Sequence, residues 1–342
     1  MKEIIAFCSK MTNFANSTTK KCSMINRELI RIKLVQVMYS YLQKGIYKPY
    51  VAEKELLLSL DKAYDLYNYL LLLLVEVGRM SVRMLEMRQS RSKKLNDGVK
   101  WSRKFADNRF ILQLESNRQL RVYCEEQSLS WADQEEFVRS LYNKVEQSDF
   151  YREYMASETS TYEEDREVWR LIYRNLICNN DELASILEDI NVYWNDDKFI
   201  IDTFVLKTIN RFTEDSISTE PLMPEYKSDT DRDFAIKLMH RALIGQEYFS
   251  ELISASTRKW EMNRIALMDR IILQLGLAEI TSFPTIPLSV SINEYVEIAK
   301  MYSTPKSGKY INATLDAIAK KLIEEGRLVK ESQAPATSEE DI

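Results

Sequence analysis

Turn-forming residues are too sparse in this chain to fold it into anything but helices. Its 342 residues include only 7 Gly and 7 Pro. The long runs between them are rich in Leu, Glu, Lys, Arg and Met, side chains that lose little rotamer freedom in a helix. A β-sandwich needs a turn about every 8–12 residues, and a βαβ array needs glycines at its strand-to-helix turns. The expected fold class is therefore all-α. Apolar residues make up 45% of the chain, enough for the core of one large domain or two ordinary ones.

Ile25 to Gln43 reads as an amphipathic helix, with Leu29, Ile32, Val35 or Gln36, and Tyr39 at helical spacing and Gly45 behind it as a stop. Arg27, Arg31 and Lys33 lie around its first two turns. Glu53 to about Arg91 predicts a longer helix, most apolar at Leu66 to Val77. It runs into Arg88, Arg91, Lys93, Lys94, Lys100, Arg103 and Lys104, read either as a loop that touches nucleic acid or as an exposed linker. Residues 105–160 continue as helices with aromatic residues in the core. A weak repeat at an offset of 66 residues sets Asp165-Arg166 against Asp231-Arg232 and Trp194 against Trp260. Ser216 to Asp231, with Pro221 and Pro224, predicts a linker and a domain boundary near 225. Helices follow at about 231–255, 260–280, 291–302 and 308–325. Residues 329–342 form an acidic tail expected to be disordered. Residues 1–23 read as a disordered extension, or as a start-site error with Met24 the true start.

Residues 287–316 carry the clearest local signals. Ser291-x-x-Glu294 has the pattern of a capping box, in which hydroxyl and carboxylate satisfy free N–H groups at a helix start. Pro305 and Gly308 break that helix, Ser307 is placed to cap the next, and Gly326 to end it. The turn between them holds Lys306, Lys309 and Tyr310. Cations along phosphates and aromatic rings under unstacked bases are what single-stranded RNA needs. Tyr310 has a plainer reading as an aromatic at the edge of the core.

The net charge of −5 hides a split, because residues 1–104 hold 20 Lys and Arg against 9 Asp and Glu. A basic first third can attract a polyanion or simply face water. Cys8, Cys22, Cys124 and Cys178 are scattered without a CxxC pair, which fits reduced thiols in a cytoplasmic protein. The most apolar run, Tyr69 to Val75, is far short of the roughly 20 residues of a membrane span. The single histidine, His240, reads as structural, and no Gly-rich phosphate loop is present. Adjacent acids such as Glu163-Glu164-Asp165 read as solvated helix faces. These residues point to no catalytic site, metal or cofactor.

Ile292-Asn293-Glu294-Tyr295-Val296-Glu297-Ile298-Ala299-Lys300 and Lys309-Tyr310-Ile311-Asn312-Ala313-Thr314-Leu315-Asp316 closely resemble the INEAVELAK and KFVNGVLD blocks of the NusB family of bacterial transcription antitermination factors. Asp269-Arg270-Ile271-Ile272-Leu273 resembles the helix before those blocks, and Arg31 to Tyr39 resembles the family's first helix. The resemblance implies an all-α fold of two small antiparallel bundles. The first helix would be at 24–44, a large helical insertion at 45–228 and the C-terminal helical domain at 229–328. It implies a non-enzymatic factor that binds boxA-like single-stranded RNA of ribosomal RNA leaders with the ribosomal protein NusE. Together they would join the transcription elongation complex, RNA polymerase and other Nus factors, to favour read-through.

Carried over by residue, Arg27, Arg31, Lys33, Lys306, Lys309 and Tyr310 would contact RNA, and Tyr39 and Asp269 would lie on the partner-binding face. The chain departs from the family where Arg27-Glu28-Leu29-Ile30-Arg31 stands for a run of arginines, where Gln274 replaces an arginine, where Ser289 replaces a basic residue found in some members, and where Lys306 stands for an acid found in some. Basic residues from Arg79 to Lys104 could compensate. Two other readings use the same residues: a helical protein-protein adaptor that has lost RNA binding, and the RNA-binding module of an rRNA cytosine methyltransferase. The α/β domain of the latter has no counterpart in these residues.

Overall fold

The computed structural model describes residues 24–45, 48–96, 98–226, 228–256 and 265–331. Trp260, residues 1–23 and the tail beyond 331 lie outside the described residues. The described residues form helices and no extended sheet, as the scarcity of turn residues predicts. The order is α1 (Arg27–Lys44), α2 (Pro49–Leu95), α3 (Arg109–Ser116), α4 (Arg118–Glu126), α5 (Glu135–Gln147), α6 (Asp149–Met155) and α7 (Tyr162–Ile172). Then come α8 (Asp181–Ile190), α9 (Lys198–Arg211), α10 (Asp229–Ile244), α11 (Gln246–Ser256), α12 (Leu267–Ser282), α13 (Leu288–Tyr302) and α14 (Ser307–Glu324).

The 47-residue α2 is a spine about 70 Å long at 1.5 Å per residue. It packs against α1, α3, α4, α5, α9 and α10. Its middle is buried on all sides from Tyr64 to Leu71, as a helix must be when neighbours surround it. Aromatic residues fill the space beside it: Tyr69 stacks on Trp131 with ring centroids 4.2 Å apart, and Phe105 on Trp169 at 5.1 Å. The second assembly is centred on α12, buried without a break from Ile271 to Ile280 and surrounded by α1, α10, α11, α13 and α14.

The helix ends follow local chemistry in part. Asn26 caps α1 by accepting from the Leu29 N–H, and Gly45 ends it in the left-handed region. Gly326, also left-handed, lies just past the end of α14. The predicted capping box is corrected. Ser291 lies inside α13, which begins a turn earlier at Leu288, and its hydroxyl donates to Glu279 instead. Ser307 is the first residue of α14 rather than its cap. The helix expected at 231–255 is two, divided at Gly245.

Residues 212–226 break the helical run, but they are bound to the body of the molecule. Met24 and Ile25 donate to the Pro224 and Glu225 carbonyls at 3.0 and 2.8 Å, Tyr64 donates to the Met223 carbonyl, and Leu222 and Met223 are buried. One hydrophobic core runs past this segment, so the break in helix near 225 is not a break in packing. Of the offset repeat, Asp165 and Asp231 each sit in the first turn of a helix and pair with an arginine, Arg109 and Arg27.

Candidate functional site

The turn between α13 and α14 is held by one buried hydroxyl. Ser307 Oγ donates to Asp269 Oδ2 at 3.0 Å and accepts from the Thr304 N–H at 3.3 Å. With its proton and one lone pair so committed, its second lone pair accepts from one of the Ser303 and Thr304 hydroxyls, which lie 3.0 and 2.9 Å away. Gly308 is buried where a Cβ would come within 3.2 Å of Lys300 Cγ, so the two helices approach closely at their junction. Lys306 and Lys309 extend from this fixed turn. Both are exposed, and among the described residues neither forms an ion pair. Tyr310 is half-buried with its ring packed against the core, so only part of it faces outward.

The basic residues of α1 are placed differently. Arg31 is 3% exposed, with Nε and Nη2 donating to the two carboxylate oxygens of Glu279 at 2.8 Å each and Nη1 to Glu294 at 3.1 Å. Ser291 and Tyr295 donate to the same Glu279 carboxylate, and the Arg31 guanidinium lies 5.5 Å from the Phe234 ring centroid. Burial works against the charge on Arg31, but the hydrogen bonds and field of Glu279 outweigh it and raise its pKa. Lys33 is 1% exposed and paired with the buried Asp197 at the start of α9. The expectation that Arg31 and Lys33 meet RNA is therefore corrected: both are structural cations whose charge is spent inside the fold. Arg27 is exposed, 3.6 Å from Asp231 and over the Phe234 ring at 4.9 Å.

Arg27 and the α13–α14 turn are also far apart. Arg27 lines a shallow cleft with Pro287, Val290 and Glu294 at the start of α13, whereas Lys306 and Lys309 follow its end. The 15 residues of α13 put about 22 Å between those ends. Tyr39 lies nearer the turn. Gln36 donates to the Tyr302 hydroxyl at 3.1 Å, and Tyr39, exposed, is one helical turn further on the same face of α1. Asp269 is 8% exposed and occupied by Ser307, so its expected place on an open partner-binding face is corrected to a post beneath the turn.

Sequence reasoning missed Glu279 and Asp197. Each left a signal: Glu279 is the lone acid in an apolar run from Ile271 to Ile280, and Arg31 and Lys33 are lone cations among Leu29, Ile30, Ile32, Leu34 and Val35. An ionic group in such a setting needs a buried partner. The basic residues from Arg79 onward, in the second half of α2, are partly consumed as well, with Arg79 held by Glu76 and Glu115 and Arg88 by Glu146. His240 is structural, its Nε2 2.8 Å from Glu53 and joining α10 to α2. No group of three potential metal ligands occurs among the described residues, nor a helix long and apolar enough to cross a membrane.

A model of the NusB family matches residues 200–320, from within α9 to within α14. The transcription antitermination protein NusB of Salinibacter ruber is 40% identical over 108 residues, covering 32% of this chain and 68% of that protein. The NusB of Koribacter versatilis is 43% identical over 91 residues, 27% of this chain and 62% of that protein. The NusB of Dictyoglomus turgidum is 37% identical over 106 residues, 31% of this chain and 73% of that protein. A solved NusB from T. maritima, 32% identical, covers 34% of this chain and 73% of that one at a TM-score of 0.27. These matches cover between 27% and 34% of the chain, and α2 lies outside the residues that the family model matches. By its C-terminal helices, which build the turn bearing Lys306 and Lys309, the chain belongs to the NusB family.

Proposed function

We propose that this chain is a non-enzymatic transcription antitermination factor that binds boxA-like RNA together with the ribosomal protein NusE and promotes read-through of ribosomal RNA operons. The observation that carries the RNA part is the pair of exposed lysines, Lys306 and Lys309, without an ion pair among the described residues, on a turn held by Ser307 and Asp269. Cations preorganised on a rigid turn meet phosphates without the ordering cost of a mobile arm. Tyr310 beside them offers part of a ring to a base. Tyr39, exposed one turn beyond the Gln36–Tyr302 hydrogen bond, is the residue best placed to meet a protein partner beside that RNA. A scaffold of this kind gains affinity by holding two partners at once.

A second reading follows from the burial of Arg31 and Lys33. With both committed inside the fold, Arg27, Lys306 and Lys309 are left of the expected cations, and an adaptor that binds protein alone needs none of them. Titration of labelled boxA RNA at several salt concentrations, with and without NusE, separates the two. If three phosphates are contacted, log K falls against log[salt] with a slope of about −2. Absent or salt-independent binding in both conditions favours the adaptor.

A further inference from the structure

Between Met87 and Lys104 the sequence holds seven Lys and Arg and a single acid, Asp97. The structure divides the cations into two sets. Arg88 donates to both oxygens of Glu146 at 2.5 and 2.6 Å, Arg103 to Asp107, and Lys104 to the backbone carbonyls of Tyr154 and Ser157. Those three already have partners within the fold. Arg91, Lys93, Lys94 and Lys100 are exposed, and among the described residues they form no ion pair. Cations in the last turn of a helix complement its dipole, which accounts for Lys93 and Lys94. It does not account for Lys100, or for what stands next to it.

Trp101 is 41% exposed, whereas Trp131, Trp169 and Trp194 are at most 3% exposed. The chain reverses after α2 through Asn96 and Gly98, both left-handed at φ 52° and 69°. Ser92 then donates to the Val99 carbonyl at 3.4 Å, and the Arg88 guanidinium lies 5.4 Å from the Trp101 ring centroid. Residues 99–101 thus run back along α2. One face of the indole is backed by an arginine that Glu146 itself clamps, and Phe105, stacked on Trp169, anchors the chain four residues on. An exposed tryptophan held this way, with cations around it and no acid in its own segment but Asp97, has the parts of a stacking platform for single strands.

We infer that the tip of α2 is a second contact for single-stranded RNA, in which a base stacks on Trp101 and phosphates run along Arg91, Lys93, Lys94 and Lys100. This site is independent of the α13–α14 turn and lies outside residues 200–320, which the family model matches. An anionic bilayer could also draw cations and a tryptophan, and the test distinguishes it.

The test uses the full chain, a labelled oligouridylate and vesicles containing phosphatidylserine. Lys93→Gln/Lys94→Gln/Lys100→Gln should weaken RNA binding at low salt by about tenfold or more and make the salt slope shallower by about 2. Trp101→Ala should weaken binding roughly 5- to 150-fold with the slope unchanged. Thermal unfolding should be nearly unchanged in the lysine variant, whose altered side chains are exposed, and Trp101→Ala should still unfold cooperatively well above the assay temperature. Wild-type RNA binding by both variants overturns the proposal, as does a loss confined to the vesicles. Lys306→Gln/Lys309→Gln, assayed in parallel, reports on the turn alone, so failure there and failure at the tip are distinguishable.

Discussion

Arg31 in α1 and Glu279 in α12 lie 248 residues apart in sequence and form a two-pronged ion pair in the core, each hydrogen bond 2.8 Å long. Glu279 is fully buried and accepts from Ser291 and Tyr295 as well, so α1, α12 and α13 meet on one carboxylate. An arginine expected to reach RNA instead joins the first helix to the C-terminal bundle.

Removing one partner of that pair strands the other. Arg31→Ala should lower the unfolding free energy by about 3–5 kcal/mol, as breaking a buried pair does. A double change to apolar residues of similar size, Arg31→Met with Glu279→Leu, should cost less than the single substitution. Urea denaturation measures both, and a wild-type midpoint for Arg31→Ala would refute the structural role.

Ser307→Ala removes the only hydrogen bond to a buried oxygen of Asp269 among the described residues, together with an acceptor for Thr304 and Ser303. A loss of about 1–3 kcal/mol is expected. Because the turn loosens, RNA affinity should fall too, although no charge has been removed. Unaltered affinity in a measurably destabilised variant would mean that the rigidity of the turn is irrelevant to binding.

Lys306→Ala/Lys309→Ala is the converse case. Both side chains are exposed and unpaired among the described residues, so stability should stay within about 0.5 kcal/mol. The salt slope of RNA binding should become shallower by about 1.4, two phosphates' worth. Arg27→Ala acts at the other end of α13, and its effect on RNA should add to this one, since well-separated sites are nearly independent.

Glu225, in the segment bound to Met24 and Ile25, should make stability depend on pH. Burial, with the neighbouring Asp61 and Asp65 carboxylates, pushes its pKa up to about 7. The folded chain then holds this proton more tightly than the unfolded one. The stabilisation is fully present below the unfolded carboxylate value of about 4.3 and is lost as pH rises through about 7. Unfolding midpoints measured between pH 5.5 and 8 should decline, and Glu225→Gln should flatten the decline across about that window. A midpoint that rises with pH in the wild type would show that Glu225 does not carry this proton.

Much of the fold was legible because a helix is a local object. The period of Leu29, Ile32 and Tyr39, the stops at Gly45 and Gly326 and the uninterrupted run from Glu53 to Arg91 depend on neighbours within a few residues. The same locality explains the errors. Ser291 and Glu294 have the spacing of a capping box, but Glu279, twelve residues away and on another helix, takes the Ser291 hydroxyl, and Arg31 takes Glu294. Gly245 divides one predicted helix into two without altering the apolar period around it.

By itself the sequence determined that the chain is helical, where most of its helices run and which cations gather near Arg31, Lys104 and Lys306. Only the tertiary structure decided which of those cations are available. Arg31, Lys33 and Arg88 meet acids supplied by distant helices, whereas Lys306, Lys309 and Lys100 meet none among the described residues. The physical reason is that helix formation is governed by contacts within a turn or two. The free charge on a side chain depends on what packs over it, and that is set by residues as much as 248 positions away.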